Sequence, residues 1–222
     1  MRIELSGVGK GRRTAALPPT TAGYESGRAT LARAETEQRP TILGLLASGR
    51  MRPDTGTVTI DGRADAAAIR RAVALVDAPD VSDPAPNVTV AGVAAEELMF
   101  AGVPSDPVSV ARRLDDFGLD EVARIPIANV DPIVRLRLLT ELAILRDDVE
   151  GLVLVSPDRH GGDPLEWWEL AKRLADRGFA VLVIAGDASA AAIGAAAMIE
   201  RMQAAEVDEV AEHAAIAEGG LA

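Results

Sequence analysis

The first third of the chain has apolar and polar positions typical of short strands separated by turns. We predict strands at residues 2–8, 28–34 and 57–60. Residues 41–48 have the apolar spacing of a helix, and Pro40 before them occupies a place that a helix start tolerates. Residues 10–27, which hold prolines and glycines without alternation, indicate a loop.

The rest of the sequence predicts buried strands before and after a helical block. Continuous apolar runs at residues 72–77, 152–155 and 180–185 are typical of strands buried on both faces. A Gly-Gly-Asp-Pro turn and a predicted helix at 165–177 connect the last two, which indicates parallel strands with a right-handed crossover. The block consists of an acidic, proline-rich loop and predicted helices at 90–101, 108–117 and 132–145.

Composition excludes several kinds of function. The net charge of -11 argues against a nucleic-acid partner, because binding phosphates needs a basic surface. The chain has no cysteine, which excludes disulfides and thiolate metal sites, and its two histidines argue against a histidine-rich metal site. Its beginning lacks an apolar signal core, and Asp187 interrupts its longest apolar stretch, so we expect a soluble cytoplasmic protein.

Three segments match one protein family in order and spacing. They read PTILGLLASGRMRPDTGTVTIDG (Pro40–Gly62), LVLVSPDRHGGDP (Leu152–Pro164) and GFAVLVIAGD (Gly178–Asp187). The chain up to about Asp187 thereby resembles the nucleotide-binding domain of ATP-binding-cassette (ABC) transporters.

The resemblance implies an α/β fold with a P-loop-NTPase-like mixed sheet flanked by helices. An antiparallel β portion would lie at the N-terminus and a helical subdomain would be inserted in the middle. We expect this domain at residues 1–187, its helical subdomain at about 88–147, and an alanine-rich helix with an acidic tail at 188–222. The resemblance also implies ATP and magnesium as ligands, and a membrane permease and a second cassette as partners.

The phosphate loop of this family, G-x-x-x-x-G-K-[ST], is not preserved. Its glycine positions correspond to Arg33 and Gln38, and Arg39 occupies the lysine position. Pro40 replaces the serine that would bind magnesium, and Thr41 follows it. Arg39 could attract an anion at the helix start or simply be solvated.

The family's signature, LSGGQ, is also absent. The equivalent residues are Val130, Asp131, Pro132, Ile133 and Val134. Arg135 and Arg137 follow at the basic spacing of the family, and they suit a solvated helix face equally well.

The acidic positions that would handle magnesium and water hold other residues. Ser156 and Pro157 replace the acids, and Asp158 comes one or two positions late. Gly186 stands at the switch histidine, whereas Asp163 matches the D-loop.

Two further family positions differ. The glutamine expected near Asp77–Pro79 is absent, and so is the aromatic residue expected near Lys10–Arg12 to stack on adenine. Tyr24 lies too late in the chain for that role, and we expect it to pack locally.

Other residues admit two interpretations each. His160 could bind a metal or act as a base, although a single histidine in a turn is more often a loop residue, and His213 is expected to be exposed in the acidic tail. Of Trp167 and Trp168, one should pack on the sheet and the other could contact a partner. Three apolar residues could contact a partner or belong to the core, the commoner place: Met99, Phe100 and Val103.

These substitutions predict an ABC-type subunit that has lost ATP hydrolysis and couples to, or regulates, a membrane permease. We expect ATP and magnesium to be unbound or weakly bound, no catalytic residue and no metal site. The subunit would dimerise with itself or an active partner, at the inner face of the membrane. Two alternatives remain: an active divergent ATPase that uses Arg39 and Asp158, and a non-transporter module that binds an anion or a protein.

Overall fold

The computed structural model describes residues 1–11, 16–35 and 39–199. The strands are β1 (Arg2–Lys10), β2 (Leu17–Glu25), β3 (Arg28–Arg33), β4 (Thr55–Ile60), β5 (Val73–Val76), β6 (Gly151–Val155) and β7 (Ala180–Ala185). The helices are α1 (Arg39–Ala47), α2 (Ala66–Ala72), α3 (Val90–Phe100), α4 (Pro107–Asp116), α5 (Pro132–Ala143), α6 (Pro164–Asp176) and α7 (residues 187–199). Short 3-10 turns occur at Asp120–Val122, Ile127–Asn129 and Pro157–His160. Gln38, the acidic tail and His213 lie outside the described residues.

The N-terminal sheet is antiparallel, in the order β2-β1-β4. The loop predicted at 10–27 is therefore wrong for residues 17–25, which form β2 and pair with β1. Because β2 is an edge strand, Pro18 and Pro19 do not interrupt a ladder on both sides. Tyr24, expected to pack locally, lies in the core, and its hydroxyl donates to the Ala47 carbonyl oxygen, 23 residues later, at 2.9 Å.

The second sheet is parallel, in the order β3-β7-β6-β5. Every residue of β5, β6 and β7 is buried, as their continuous apolar runs predict. One face packs against α1 and the antiparallel sheet, while the other packs against α5, α6 and the helical block. The predicted mixed α/β fold is thus confirmed, whereas the domain limits stay a prediction.

The helices of the middle block begin at polar caps. Thr89, Asp106 and Asp131 accept hydrogen bonds from the first backbone N–H groups of α3, α4 and α5. Proline follows two of these caps, at Pro107 and Pro132, where its missing N–H costs nothing. Local sequence therefore sets where these helices start.

Two predictions about large apolar side chains are resolved. Trp167 packs in the core at 3% exposure, whereas Trp168 is half-buried. The core role considered for Met99 and Phe100 is wrong, because these side chains are 59% and 63% exposed at the end of α3. Val103 is half-buried against the core.

Candidate functional site

The residues that follow the parallel strands meet at one edge of the sheet. The segments begin at Ala34 after β3, Asp77 after β5, Ser156 after β6 and Gly186 after β7. Because the four strands are parallel, their carboxyl ends lie side by side. Ligands of open α/β sheets bind outside this edge, so it is the candidate site.

Asp158 makes contacts within the protein at this edge. Its Oδ2 accepts a hydrogen bond from the Gly186 N–H at 2.8 Å and lies 3.3 Å from the Ser189 hydroxyl. Ser156 has left-handed backbone geometry, with φ 48°, and Pro157 begins a 3-10 turn. Asp158 therefore links the turn after β6 to the start of α7.

A second carboxylate joins β3 to the same junction. Glu35 Oε1 accepts from the Asp187 N–H at 2.7 Å, and Arg33 Nε donates to Asp187 Oδ1 at 2.7 Å. A Cβ added to Gly186 would lie 3.1 Å from both Asp158 Oδ2 and Glu35 Oε1. Gly186, at the switch-histidine position, is therefore enclosed by two carboxylates, and a larger side chain would have to displace one of them.

The phosphate-loop equivalents form the start of α1. Arg39, Pro40 and Thr41 are its first three residues, and all are half-buried. Within the described residues, the Arg39 side chain has no hydrogen-bond or ion-pair partner. Pro40 contributes neither an N–H nor a hydroxyl to a ligand.

The signature equivalents form a helix start. Asp131 Oδ1 accepts from the Ile133 N–H at 3.0 Å, and Pro132 is the first residue of α5. Val130 and Val134 pack against the core. Asp163, which matches the D-loop, caps α6 in the same way, with Oδ1 2.8 Å from the Leu165 nitrogen.

Asp77 is the centre of a buried ionic cluster that the sequence analysis missed. It follows β5 with φ 56°, and it is 2% exposed. Arg135 of α5, 4% exposed, binds its carboxylate through two bonds, Nη2 to Oδ1 at 2.6 Å and Nε to Oδ2 at 3.2 Å. The alternative of a solvated Arg135 is therefore wrong, whereas Arg137 is exposed and donates to the Phe117 carbonyl oxygen.

Two neighbours complete the cluster from the turn after β6. Arg159 Nη1 donates to the Asp77 carbonyl oxygen at 2.7 Å, and its Nη2 lies 3.0 Å from Oδ1. His160 Nε2 lies 2.9 Å from Asp77 Oδ2. His160 therefore has Asp77 as a partner, which the sequence of its own turn does not indicate. Two features of the sequence could have indicated this cluster. An aspartate ends an apolar strand, and an arginine lies among the apolar residues of α5.

The surroundings of Asp77 set its acidity. Burial raises the pKa of this carboxyl, but hydrogen bonds from His160 and Arg135, together with the charges of Arg135 and Arg159, more than offset burial. The net effect lowers the pKa from 3.8 to about 2. The ionised form is therefore the one that the fold stabilises.

This pKa predicts a loss of stability in acid. Because the folded-state pKa is depressed, the contribution of Asp77 is fully present above pH 3.8 and is lost as the pH falls towards about 2. The contribution amounts to about 2 kcal/mol. Urea unfolding of the protein and of Asp77→Asn between pH 5 and 2 should give free energies that converge as the pH falls. A difference between the two free energies of unfolding that stays constant from pH 5 to 2 would contradict the prediction.

Comparisons with known proteins support the fold only. No family model matches the sequence, and no curated protein matches it. A solved ATP-binding subunit of an ABC transporter is 18% identical, with a TM-score of 0.57, over 84% of this chain and 80% of that chain. The structure of cbiO1 from Clostridium perfringens, part of the ABC transporter complex cbiONQ, is 16% identical, with a TM-score of 0.59, over 83% of this chain and 77% of that chain.

The chain therefore has the fold of the ATP-binding subunits of ABC transporters. Among the described residues, no group of three or more histidine, aspartate or glutamate side chains is arranged to hold a metal ion. Within the same ranges, no helix combines the length and hydropathy that crossing a bilayer requires.

Proposed function

We propose that this chain is an ABC-type subunit that does not hydrolyse ATP and that couples to, or regulates, a membrane permease. The observation that supports this most directly is at the carboxyl edge of the parallel sheet. Ser156 and Pro157 stand where the acids would be, and the nearby carboxylate of Asp158 is hydrogen-bonded to Gly186 and Ser189. The edge that would handle ATP is held together by contacts within the protein.

The chemistry of phosphoryl transfer explains why these changes matter. Hydrolysis needs a cation on the phosphates, an acid and a hydroxyl on magnesium, and a residue that orients water. Pro40 has no hydroxyl, and Gly186 has no side chain. Asp77, near the position of the family's glutamine, is enclosed by Arg135, Arg159 and His160. The residues present therefore do not fit magnesium-ATP.

The permease part of the proposal has support from fold and surface. One structural neighbour, cbiO1, is part of an ABC transporter complex. Met99 and Phe100 expose apolar surface at the end of α3, and Val81, in the loop after β5, is 48% exposed. A membrane subunit could cover such surface and would place this chain at the inner face of the membrane, alone or paired with a second cassette.

Nucleotide measurements test the loss of ATPase activity. We expect calorimetry with magnesium-ATP to give no saturable heat, and phosphate release to stay at the level of a protein-free control. An active cassette ATPase, assayed in parallel, shows that the assay detects turnover. Hydrolysis that disappears in Arg39→Ala would favour the active divergent ATPase, and Arg39 suits this test because its side chain has no partner among the described residues.

A copurification experiment tests the coupling to a membrane permease. The tagged chain, expressed in its native host, should copurify with a multi-span membrane protein. Met99→Glu with Phe100→Glu should reduce that yield, because the charges would face the membrane subunit. Leu165→Glu, a change on the 36% exposed leucine of α6, is the matched control and should leave it unchanged. Absence of a membrane protein from all three preparations would favour the non-transporter module, whereas equal yields of a membrane protein would mean that it contacts another surface.

A further inference from the structure

A groove lies at the opposite edge of the parallel sheet from the candidate site. It occupies about 720 Å³ between the end of α1, the segment leading into β4, and α2. Its apolar lining includes Met51, Pro53 and Val58, which are half-buried. Arg50 at its rim donates to the carbonyl oxygen of Val73, the first residue of β5, which places the groove at the amino ends of the strands.

Three arginines line this groove: Arg50, Arg52 and Arg70. Arg50 Nη1 donates to the carbonyl oxygens of Ser48 and Val73, at 3.1 and 3.0 Å. Arg70 Nη1 donates to the Gly49 carbonyl oxygen at 2.9 Å. In the described part of the chain, Nε and Nη2 of both residues, and the whole guanidinium of Arg52, have no hydrogen-bond or ion-pair partner. Several N–H donors are therefore available at the groove.

The acids near these arginines are engaged with other groups of the protein. Asp65, which is near enough to interact with the charge of Arg70, caps α2 by accepting from the Ala67 and Ala68 N–H groups at 3.0 and 2.9 Å. The chain has 34 acidic and 23 basic residues, yet the acid that lines this groove, Asp54, binds Lys10 Nζ at 2.8 Å and the Gly11 N–H at 3.0 Å. Burial lowers the pKa of Arg50, and the positive charges of Arg146 and Arg70 lower it further, while Tyr24 acts in the opposite direction. An anion in the groove would relieve this repulsion.

We propose that the groove binds a molecule that carries a phosphate group. The phosphate would lie among the three guanidinium groups, and a less polar part of the molecule would cover Met51 and Val58. Phosphate suits this arrangement because guanidinium groups bind its oxygens through paired, charge-assisted hydrogen bonds. The phosphate could belong to a soluble metabolite or to a lipid headgroup. The proposal does not depend on the function proposed for the other edge.

Calorimetry with inorganic pyrophosphate, at constant ionic strength set with sodium chloride, tests this site. We expect saturable binding that weakens at least about tenfold in the double variant Arg52→Gln, Arg70→Gln. Arg50 is left in place because it bonds the end of α1. Arg71→Gln is the matched control, since Arg71 is also exposed on α2 but does not line the groove, and it should bind like the unaltered protein.

A vesicle-binding experiment distinguishes a soluble metabolite from a lipid headgroup as the source of the phosphate. Vesicles of phosphatidylcholine, with and without phosphatidic acid, are sedimented with the protein and the same variants. Binding that requires phosphatidic acid and the groove arginines indicates a lipid headgroup, whereas pyrophosphate binding without vesicle binding indicates a soluble ligand. The proposal is overturned if neither probe binds, or if Arg71→Gln weakens binding as much as the double variant. It is equally overturned if Arg39→Ala, at the other edge, abolishes binding and the double variant does not.

Discussion

Replacing Asp77 with alanine should lower the free energy of unfolding by about 3–5 kcal/mol. The variant leaves the Arg135 side chain, which is 5% exposed, without its carboxylate, and Arg159 loses a partner as well. An uncompensated buried charge costs several kcal/mol, which is a large share of the stability of a typical domain. Urea denaturation followed by circular dichroism measures the change.

Two further variants separate the buried pair from general effects of losing an acid. Asp83→Ala removes the other carboxylate near Arg159, at 3.5 Å and one-third exposed, and should cost less than about 1 kcal/mol. Asp77→Leu combined with Arg135→Met replaces both charges by apolar groups and should recover most of the loss. A cost below 1 kcal/mol for Asp77→Ala, or no recovery in the double variant, would show that the pair does not hold this region together.

The Asp77 cluster also links the two parts of the fold. Asp77 follows a core strand, Arg135 lies on α5 of the helical block, and Arg159 and His160 come from the turn after β6. A buried ionic contact across three elements fixes α5 relative to the sheet. This agrees with the proposed loss of ATP hydrolysis, in which the edge that would contact nucleotide is occupied by the protein's own side chains.

Sequence patterns predicted those elements whose local physics decides their structure. The apolar runs at β5, β6 and β7 are buried on both faces, so composition alone identifies them. Asp131 and Asp163, each followed by proline, mark helix starts because the side chain satisfies free N–H groups. Buried strands and capped helix starts can both be predicted from residues that are neighbours in the sequence.

Features that depend on distant residues were not predictable in this way. β2 lacks alternating apolar residues, and it forms because β1 offers it a partner. Arg135 is buried because Asp77, 58 residues earlier, supplies the opposite charge. The Asp158 carboxylate lies against the Gly186 N–H, 28 residues later, so its engagement appears only after the sheet has formed. Each depends on the tertiary arrangement rather than on local sequence.

Gly56→Ala should destabilise the protein by about 2–4 kcal/mol. Gly56 lies near the start of β4 with φ 75°, a conformation that alanine adopts only at a cost. A Cβ here would lie 2.3 Å from the Ser6 carbonyl oxygen and 2.4 Å from the carbonyl of Gly7. These atoms belong to the backbone of β1, where the pairing register with β4 shifts between Ser6 and Gly9, so the strands would have to separate. Thermal and urea unfolding measure the loss.

Gly62→Ala distinguishes crowding from backbone geometry. Gly62 follows β4 with φ 78°, close to that of Gly56, but a Cβ there meets no atom within 4 Å. Its substitution should therefore cost only the conformational part, about 1 kcal/mol. The difference between the two variants then measures the close approach of β4 to β1, because the backbone term is shared. Equal losses would mean that β1 moves aside freely and that Gly56 is needed for backbone geometry alone.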